Sequence, residues 1–186
     1  MELKNGGVNT VYYMPLAVNA DRMRRMLDVS QQDRNKQSRL YGGDIAFVGS
    51  MYNEKHNLFE RLNGISDFTK GYLDAVMTAQ RKVYGYFFLE ELINGKVLED
   101  MMKNYPVKPN SDGVETVQYL YADYFLARKM ACDDRMEIMS RLGYEYGDAY
   151  KINLYTYDKT QTFCGVENKG AADYYDIMPY IFNNTK

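Results

Sequence analysis

The chain has 186 residues, of which 46% are hydrophobic and 26% are charged, and its formal net charge is -2. This length suits one domain with or without extended arms, and the small net charge argues against a general polyanion binder, which usually carries a basic excess. No segment approaches the roughly 18 continuous apolar residues of a membrane span, and the first residues lack the apolar stretch of a signal peptide. We therefore expect no membrane partner and synthesis in the cytoplasm.

The residue types point to packing rather than to chemistry. There are 19 tyrosines, no tryptophan and a single histidine, His56. Tyrosine combines an apolar ring with a hydroxyl, which suits surfaces that end up against other protein. The two cysteines, Cys132 and Cys164, are too few for a disulfide framework, so we expect free thiols in a reducing compartment.

The N-terminal segment predicts an arm followed by a helix. Residues 1–15 contain Asn5-Gly6-Gly7 and stop at Pro15, so they favour an extended arm that needs a neighbouring surface. Asn19 is a good cap for a helix running from Ala20 through residues 31–39.

Residues 44–64 allow two interpretations. The apolar run 45–48 is either a strand or a buried turn, and periodicity does not decide between them. A modest helix is predicted over residues 51–62, ended by Asn63-Gly64.

Two long amphipathic helices are predicted next. Apolar residues recur at spacings of three and four over residues 66–93, with Ser66 as cap and with Gly71 and Gly85 marking a close approach or a kink. A short helix is predicted over 96–104. A second long helix is predicted over 112–142, starting at Asp112 and stopped by Gly143.

The C-terminal segment predicts a β-hairpin over residues 150–164, in which Ile152 and Leu154 face one way and Asn153 and Tyr155 the other. A short helix is expected within residues 171–182. The predicted fold class is mainly α, with an antiparallel hairpin or bundle of long helices, a small β-hairpin and extended terminal arms. We divide the chain into an arm (1–15), a helical body (16–143) and a hairpin with a C-terminal arm (144–186).

No arrangement of residues predicts a reaction. Motifs for zinc, phosphate or nucleophile binding do not occur, so we predict no catalytic residue, no cofactor and no metal. Asp133, Asp134 and Glu137 lie close together on one predicted helix. A solvated charged face explains them better than a cation site, and an enzyme using these carboxylates beside a tyrosine is a third hypothesis.

The favoured hypothesis is a structural subunit that contacts copies of itself and other structural proteins. Its predicted partner-contact residues are Tyr12, Tyr13, Arg22, Arg24, Arg25, Tyr155, Tyr157, Tyr174, Tyr175 and Tyr180. The alternative is a nucleic-acid-associated regulatory or packaging protein that uses the basic helix over residues 22–39. In that segment Arg22, Arg24, Arg25, Arg34, Lys36 and Arg39 could contact phosphates.

This layout resembles that of the helical ring, or head-to-tail connector, proteins of tailed bacteriophages. The features that carry the resemblance are the two matched helices over 66–93 and 112–142, the hairpin over 150–164 and the aromatic arms. The resemblance implies a non-enzymatic virion subunit, assembled as a ring between portal and tail. It also implies a channel that DNA passes without specific binding.

Overall fold

The computed structural model of the chain describes Gly7 and residues 19–53, 57–111 and 115–186. It divides into two compact units, each made of two separate stretches of chain. The first unit comprises Met1–Tyr13 and Tyr52–Asp134, and the second comprises Met14–Met51 and Arg135–Lys186. The arm expected at 1–15 lies outside the described residues except for Gly7. The division into 1–15, 16–143 and 144–186 stays a prediction.

The described residues form a mixed α/β fold. In chain order the elements are α1 (Ala20–Leu27), α2 (Gln31–Tyr41), β1 (Ile45–Val48), a 3₁₀ helix (Leu58–Arg61), α3 (Asp67–Gln80), α4 (Leu89–Leu92), α5 (Gly95–Asn104), α6 (Val117–Leu120), a π-helix (Tyr121–Ala127), α7 (Arg128–Tyr146), β2 (Ile152–Tyr155), β3 (Val166–Asn168) and α8 (Met178–Asn184). The sheet has the order β1-β2-β3, and both strand pairs are parallel. About 54% of the described residues are helical. The predicted fold class, a mainly α long-helix hairpin with a β-hairpin, is therefore wrong.

The first long helix is shorter than predicted, because α3 ends at Gln80. The side chain of Gln80 is buried and bonds the chain that follows. Its Nε2 donates to the carbonyl oxygens of Val83 (3.2 Å) and Tyr86 (2.9 Å), and its Oε1 accepts from the amide of Phe88 (2.8 Å). One side chain thus satisfies backbone groups that a continuing helix would have satisfied, and residues 81–88 form an ordered loop instead.

The second long helix is present with shifted ends. Its predicted start, Asp112, lies outside the described residues. The helical stretch begins at Val117, because the hydroxyl of Thr116 accepts from the amide of Tyr119. It then continues through the π-helix and α7 to Tyr146, past the predicted stop at Gly143.

The π-helix lies in the core of the first unit. Its buried residues, Tyr121, Ala122, Phe125 and Leu126, form two adjacent pairs that are four residues apart. The Tyr121 hydroxyl donates to the carbonyl oxygen of Tyr105 at 2.6 Å, and burial raises the pKa of Tyr121 to about 12. The core is completed by Leu62, Leu73, Val76, Met77, Leu89, Ile93, Val97 and Met101.

Asp100 on α5 fixes the start of α3. Ser66 caps α3 as predicted by accepting from the amide of Thr69, and its own amide and hydroxyl both donate to Oδ2 of Asp100, at 2.9 Å and 2.7 Å. The hydroxyls of Thr69 and Ser66 lower the pKa of Asp100 below its ordinary value of 3.8. The ionised form is therefore the one that stabilises the fold.

We expect Asp100→Asn to lower the urea midpoint at pH 7 and to have a smaller effect at about pH 2. A carboxyl group with a lowered folded-state pKa contributes stability above its unfolded-state pKa, and that contribution is lost as pH falls through the folded-state pKa. Asp74→Asn, on the exposed side of α3, is the control. An Asp100→Asn effect of equal size at both pH values would contradict this assignment.

The sheet is the centre of the second unit. Ile152 and Leu154 of β2 are buried against Met51 and Met139, while Asn153 points to the other face and donates to the carbonyl oxygen of Gly42 at 3.2 Å. The predicted strand is therefore confirmed. The predicted hairpin over 150–164 is wrong, because β2 pairs in parallel with β1 on one edge and with β3 on the other.

The N-terminal part of the second unit differs from the sequence prediction in one respect. Asn19 caps α1 as predicted, by accepting from the amide of Arg22. The single helix expected there is interrupted, because Ser30 accepts from the amide of Asp33 and caps a second helix, α2.

The open question at 44–64 is resolved for the described residues. Residues 45–48 form the strand β1, which pairs with β2. The helix predicted over 51–62 is wrong, because the described part of that range is helical only in the short 3₁₀ segment.

The predicted C-terminal helix is confirmed, but it covers Met178–Asn184 and therefore extends past the predicted range of 171–182. Pro179 lies in the first turn of α8, where a missing amide costs nothing, and Ile181 is buried. Within the described stretches, none of the helices is both long and apolar enough to span a membrane.

Candidate functional site

The second unit carries an open groove between α1 and the segment that leads into α8. Its walls include Met23 and Leu27 from α1, and Tyr174, Tyr175, Met178 and Phe182 from the C-terminal segment. We call these six residues the aromatic groove. Its volume is about 660 Å³. Because Met23 and Leu27 are four residues apart, they lie on the same face of α1.

Internal bonds link the two walls of the groove. The guanidinium of Arg22 donates to Oδ1 of Asp176 (2.9 Å) and to the carbonyl oxygen of Tyr175 (3.0 Å), and it lies 5.3 Å from the centroid of the Tyr175 ring. Oδ1 of Asp173 accepts from the amides of Tyr175 (2.8 Å) and Asp176 (2.7 Å). The turn that presents the aromatic residues is therefore fixed before any partner arrives.

The rings of the groove are exposed in the single chain. Tyr175 is 62% exposed and Phe182 is 60% exposed, and Tyr174 packs edge-on against Tyr175 with ring centroids 5.1 Å apart. Single exposed apolar residues are ordinary on protein surfaces, but a contiguous apolar surface around a concavity is typical of a binding site.

Several predicted partner-contact residues meet at this place. Tyr174 and Tyr175 are part of the aromatic groove, and Arg22 supports it. Arg25 and Tyr180 line an adjoining cavity of about 400 Å³, and Tyr180 stacks on Tyr41 at 6.0 Å between ring centroids. The sequence suggested each of these residues separately, and the fold brings them together.

The other predicted contact residues lie elsewhere. Tyr12 and Tyr13 are outside the described residues. Arg24 forms an exposed ion pair with Asp21 at 3.1 Å, and Tyr157 is exposed.

Tyr155 is buried in the second unit, so its ring offers no exposed surface in the single chain. Burial, with Tyr41 and Glu167 nearby, raises the pKa of Tyr155.

The basic segment is largely occupied by internal contacts. Arg22 is paired with Asp176, Arg24 is paired with Asp21, and Arg34 donates to the carbonyl oxygen of Val29 at 3.2 Å. Three of the six predicted cations are therefore already engaged. The nucleic-acid alternative stays a prediction.

The carboxylates considered for chemistry also have partners. Asp133 accepts from Lys129 at 2.5 Å and Asp134 pairs with Arg81 at 2.6 Å. In the part of the chain that the structure describes, no three His, Cys, Asp or Glu side chains are placed to hold a metal ion. His56 lies outside the described residues, and no disulfide joins Cys132 to Cys164.

A second exposed aromatic surface was missed by the sequence analysis. Val83, Tyr84, Tyr86 and Phe87 are exposed in the loop that follows α3, which we call the aromatic loop, residues 83–87. The spacing of Val83, Tyr86 and Phe87 fits the apolar face of the helix predicted over 66–93. The isolated Gly85 was the only signal against this, and its φ of +85° is one that other residues rarely adopt.

The chain matches no protein-family model, and it has no significant match among curated proteins or among solved structures. The geometry of the groove and the loop therefore carries the functional argument alone.

Proposed function

We propose that this chain is a non-enzymatic structural subunit that assembles with copies of itself through the aromatic groove. The observation that carries the proposal is the groove, an ordered apolar concavity whose aromatic walls stand in solvent in the single chain. Interface cores are enriched in tyrosine, phenylalanine and methionine, and these are the residue types that line the groove.

The apolar area is large enough to support association. The exposed parts of the three aromatic rings in the groove amount to on the order of 400 Å². A partner that covers them buries a similar area of its own, so the apolar transfer free energy is on the order of 20 kcal/mol. Association itself costs roughly 4–15 kcal/mol, and buried area does not convert directly into affinity, so this area supports association without fixing its strength.

The proposal is independent of the connector resemblance. That resemblance rested on two matched long helices and a β-hairpin, and the fold has neither the first helix at full length nor the hairpin. A phage ring therefore stays a prediction from layout. The nucleic-acid alternative is not favoured, because Arg22, Arg24 and Arg34 are already engaged in contacts within the chain.

We expect the double variant Tyr175→Ser/Phe182→Ser to remain at the single-chain mass of 21.7 kDa at concentrations where the wild type forms larger species. Removing two central aromatic contacts should weaken association by at least about tenfold. The measurement is light scattering coupled to size exclusion. Tyr144→Ser, at an exposed position on α7 outside the groove, is the control and should behave as wild type. A double variant as large as the wild type would contradict the proposal.

A further inference from the structure

The aromatic loop of the first unit is a second surface without a partner in the described chain. Tyr84 is 92% exposed at its tip, beside the exposed side chains of Tyr86 and Phe87. The loop is nevertheless ordered, because Gln80 bonds its backbone at three points. The hydroxyl of Tyr86 is also bonded to the carboxylate of Glu91, which raises the pKa of Tyr86. A loop that presents aromatic rings in a fixed conformation loses little entropy when it binds.

Neither surface carries an uncompensated charge. Residues 83–87 contain no charged side chain. Among the residues lining the groove the only charged one is Arg22, and its guanidinium is already paired with Asp176. Bringing the two surfaces together therefore removes no isolated ion from water. Such desolvation has a large free-energy cost and would oppose association.

The groove is large enough to take side chains of the loop. Tyr84 is 92% exposed, and the groove is a concavity of about 660 Å³, in the size range of sites that bury most of a drug-sized molecule. Two or three aromatic side chains occupy a space of this order. A symmetric contact, loop to loop or groove to groove, would leave the concavity unfilled.

We infer that the aromatic loop of one copy docks into the aromatic groove of a second copy. This inference rests on the proposed function and names the partner surface for it. The contact is head-to-tail, because the two copies use different surfaces, and such a contact either closes into a ring or continues as a chain.

The area involved sets the expected strength. The exposed rings of the loop offer on the order of 400 Å² and those of the groove a similar area. The interface of roughly 800 Å² is therefore smaller than the roughly 1,200–2,000 Å² of stable specific contacts and falls in the range of weak, transient ones. We therefore expect a dissociation constant in the micromolar range for one contact, with larger species stabilised by repeated contacts.

The test uses two variants of the full chain that each lose one surface. Tyr84→Ser/Phe87→Ser removes the loop and keeps the groove, and Tyr175→Ser/Phe182→Ser does the reverse. Each should stay at the single-chain mass alone. An equimolar mixture should form a species of two chains and no larger one, because only one intact loop and one intact groove remain. Thermal unfolding of each variant checks its fold, and Phe68→Ser, an exposed aromatic position on α3, is the control.

The possible outcomes separate the inference from the proposed function. If loop variants assemble as wild type while groove variants do not, the loop is not the occupant and only the inference fails. If the wild type stays at the single-chain mass, both fail. The inference would also be overturned if native mass spectrometry showed one copy of the chain with a small apolar molecule or another protein bound in the groove. A mixture that grows beyond two chains would exclude the head-to-tail contact.

Discussion

Replacing Gly143 with alanine should destabilise the chain by about 3 kcal/mol, although alanine normally favours a helix. Gly143 lies in α7, and a Cβ at this position would stand 2.0 Å from the carbonyl oxygen of Cys164 and 2.8 Å from Cγ2 of Val166. The first of these is a backbone atom that no rotamer change can move. The start of β3 would have to shift away from the helix.

The measurement is thermal unfolding, in which the expected loss lowers Tm by roughly 6–12 °C for a chain of this length. Gly71→Ala is the matched control. Gly71 lies in α3, is exposed and has no atom within 4 Å of the added Cβ, so its replacement should stabilise by about 0.5–1 kcal/mol. Two substitutions of the same chemistry should therefore have opposite signs. A neutral or stabilising Gly143→Ala would show that α7 and β3 do not approach this closely.

Replacing Gln80 with leucine should cost about 2 kcal/mol and disorder the aromatic loop. Leucine keeps the buried volume but removes the donor to Val83 and Tyr86 and the acceptor for Phe88. In the variant, water can bond the carbonyl oxygens of the exposed residues Val83 and Tyr86, whereas the amide of the half-buried Phe88 loses its hydrogen-bond acceptor.

Hydrogen exchange at the Phe88 amide reports this change directly, and we expect it to be faster by about tenfold or more in the variant. Urea unfolding gives the free energy. Thr78→Ala, on the exposed side of the same helix, should change neither the exchange at Phe88 nor the urea midpoint by much. Protection of Phe88 that survives Gln80→Leu would mean that the loop is ordered by other contacts. Loss of loop order should also weaken assembly, since the loop must then be ordered on binding.

Local signals in the sequence identified much of the secondary structure. Asn19 and Ser66 were recognised as caps because a short polar side chain before an apolar period satisfies a free amide. The helix at Gly95–Asn104 and the strand containing Ile152 and Leu154 followed from their periodicity. These features depend on residues within a few positions of each other.

The failures involve contacts between distant residues. The run 45–48 gave no indication that it pairs with β2, more than a hundred residues later, and this pairing makes the fold mixed α/β instead of mainly α. In the sequence, Gln80 is one polar residue in an amphipathic helix. It orders the loop only through bonds to three backbone groups of the loop itself, which the sequence does not show. Gly143 was predicted to stop a helix, whereas it allows a strand to approach one.

The candidate site was predicted in part for the same reason. Tyr174 and Tyr175 were suspected because a terminal segment has little reason to carry aromatic residues. Arg22 was predicted as a partner contact or as a phosphate contact, and nothing in the sequence indicated that it lies beside Tyr175. Only the fold places Arg22 beneath Tyr175, where it supports the groove.

We propose that the chain associates with other copies of itself. Sedimentation velocity on the wild-type chain, from roughly 1 to 200 μM, measures this association. We predict that the weight-average mass rises with concentration above 21.7 kDa. A mass that stays at 21.7 kDa over the whole range, with Tyr84, Tyr175 and Phe182 accessible to solvent throughout, would contradict the claim.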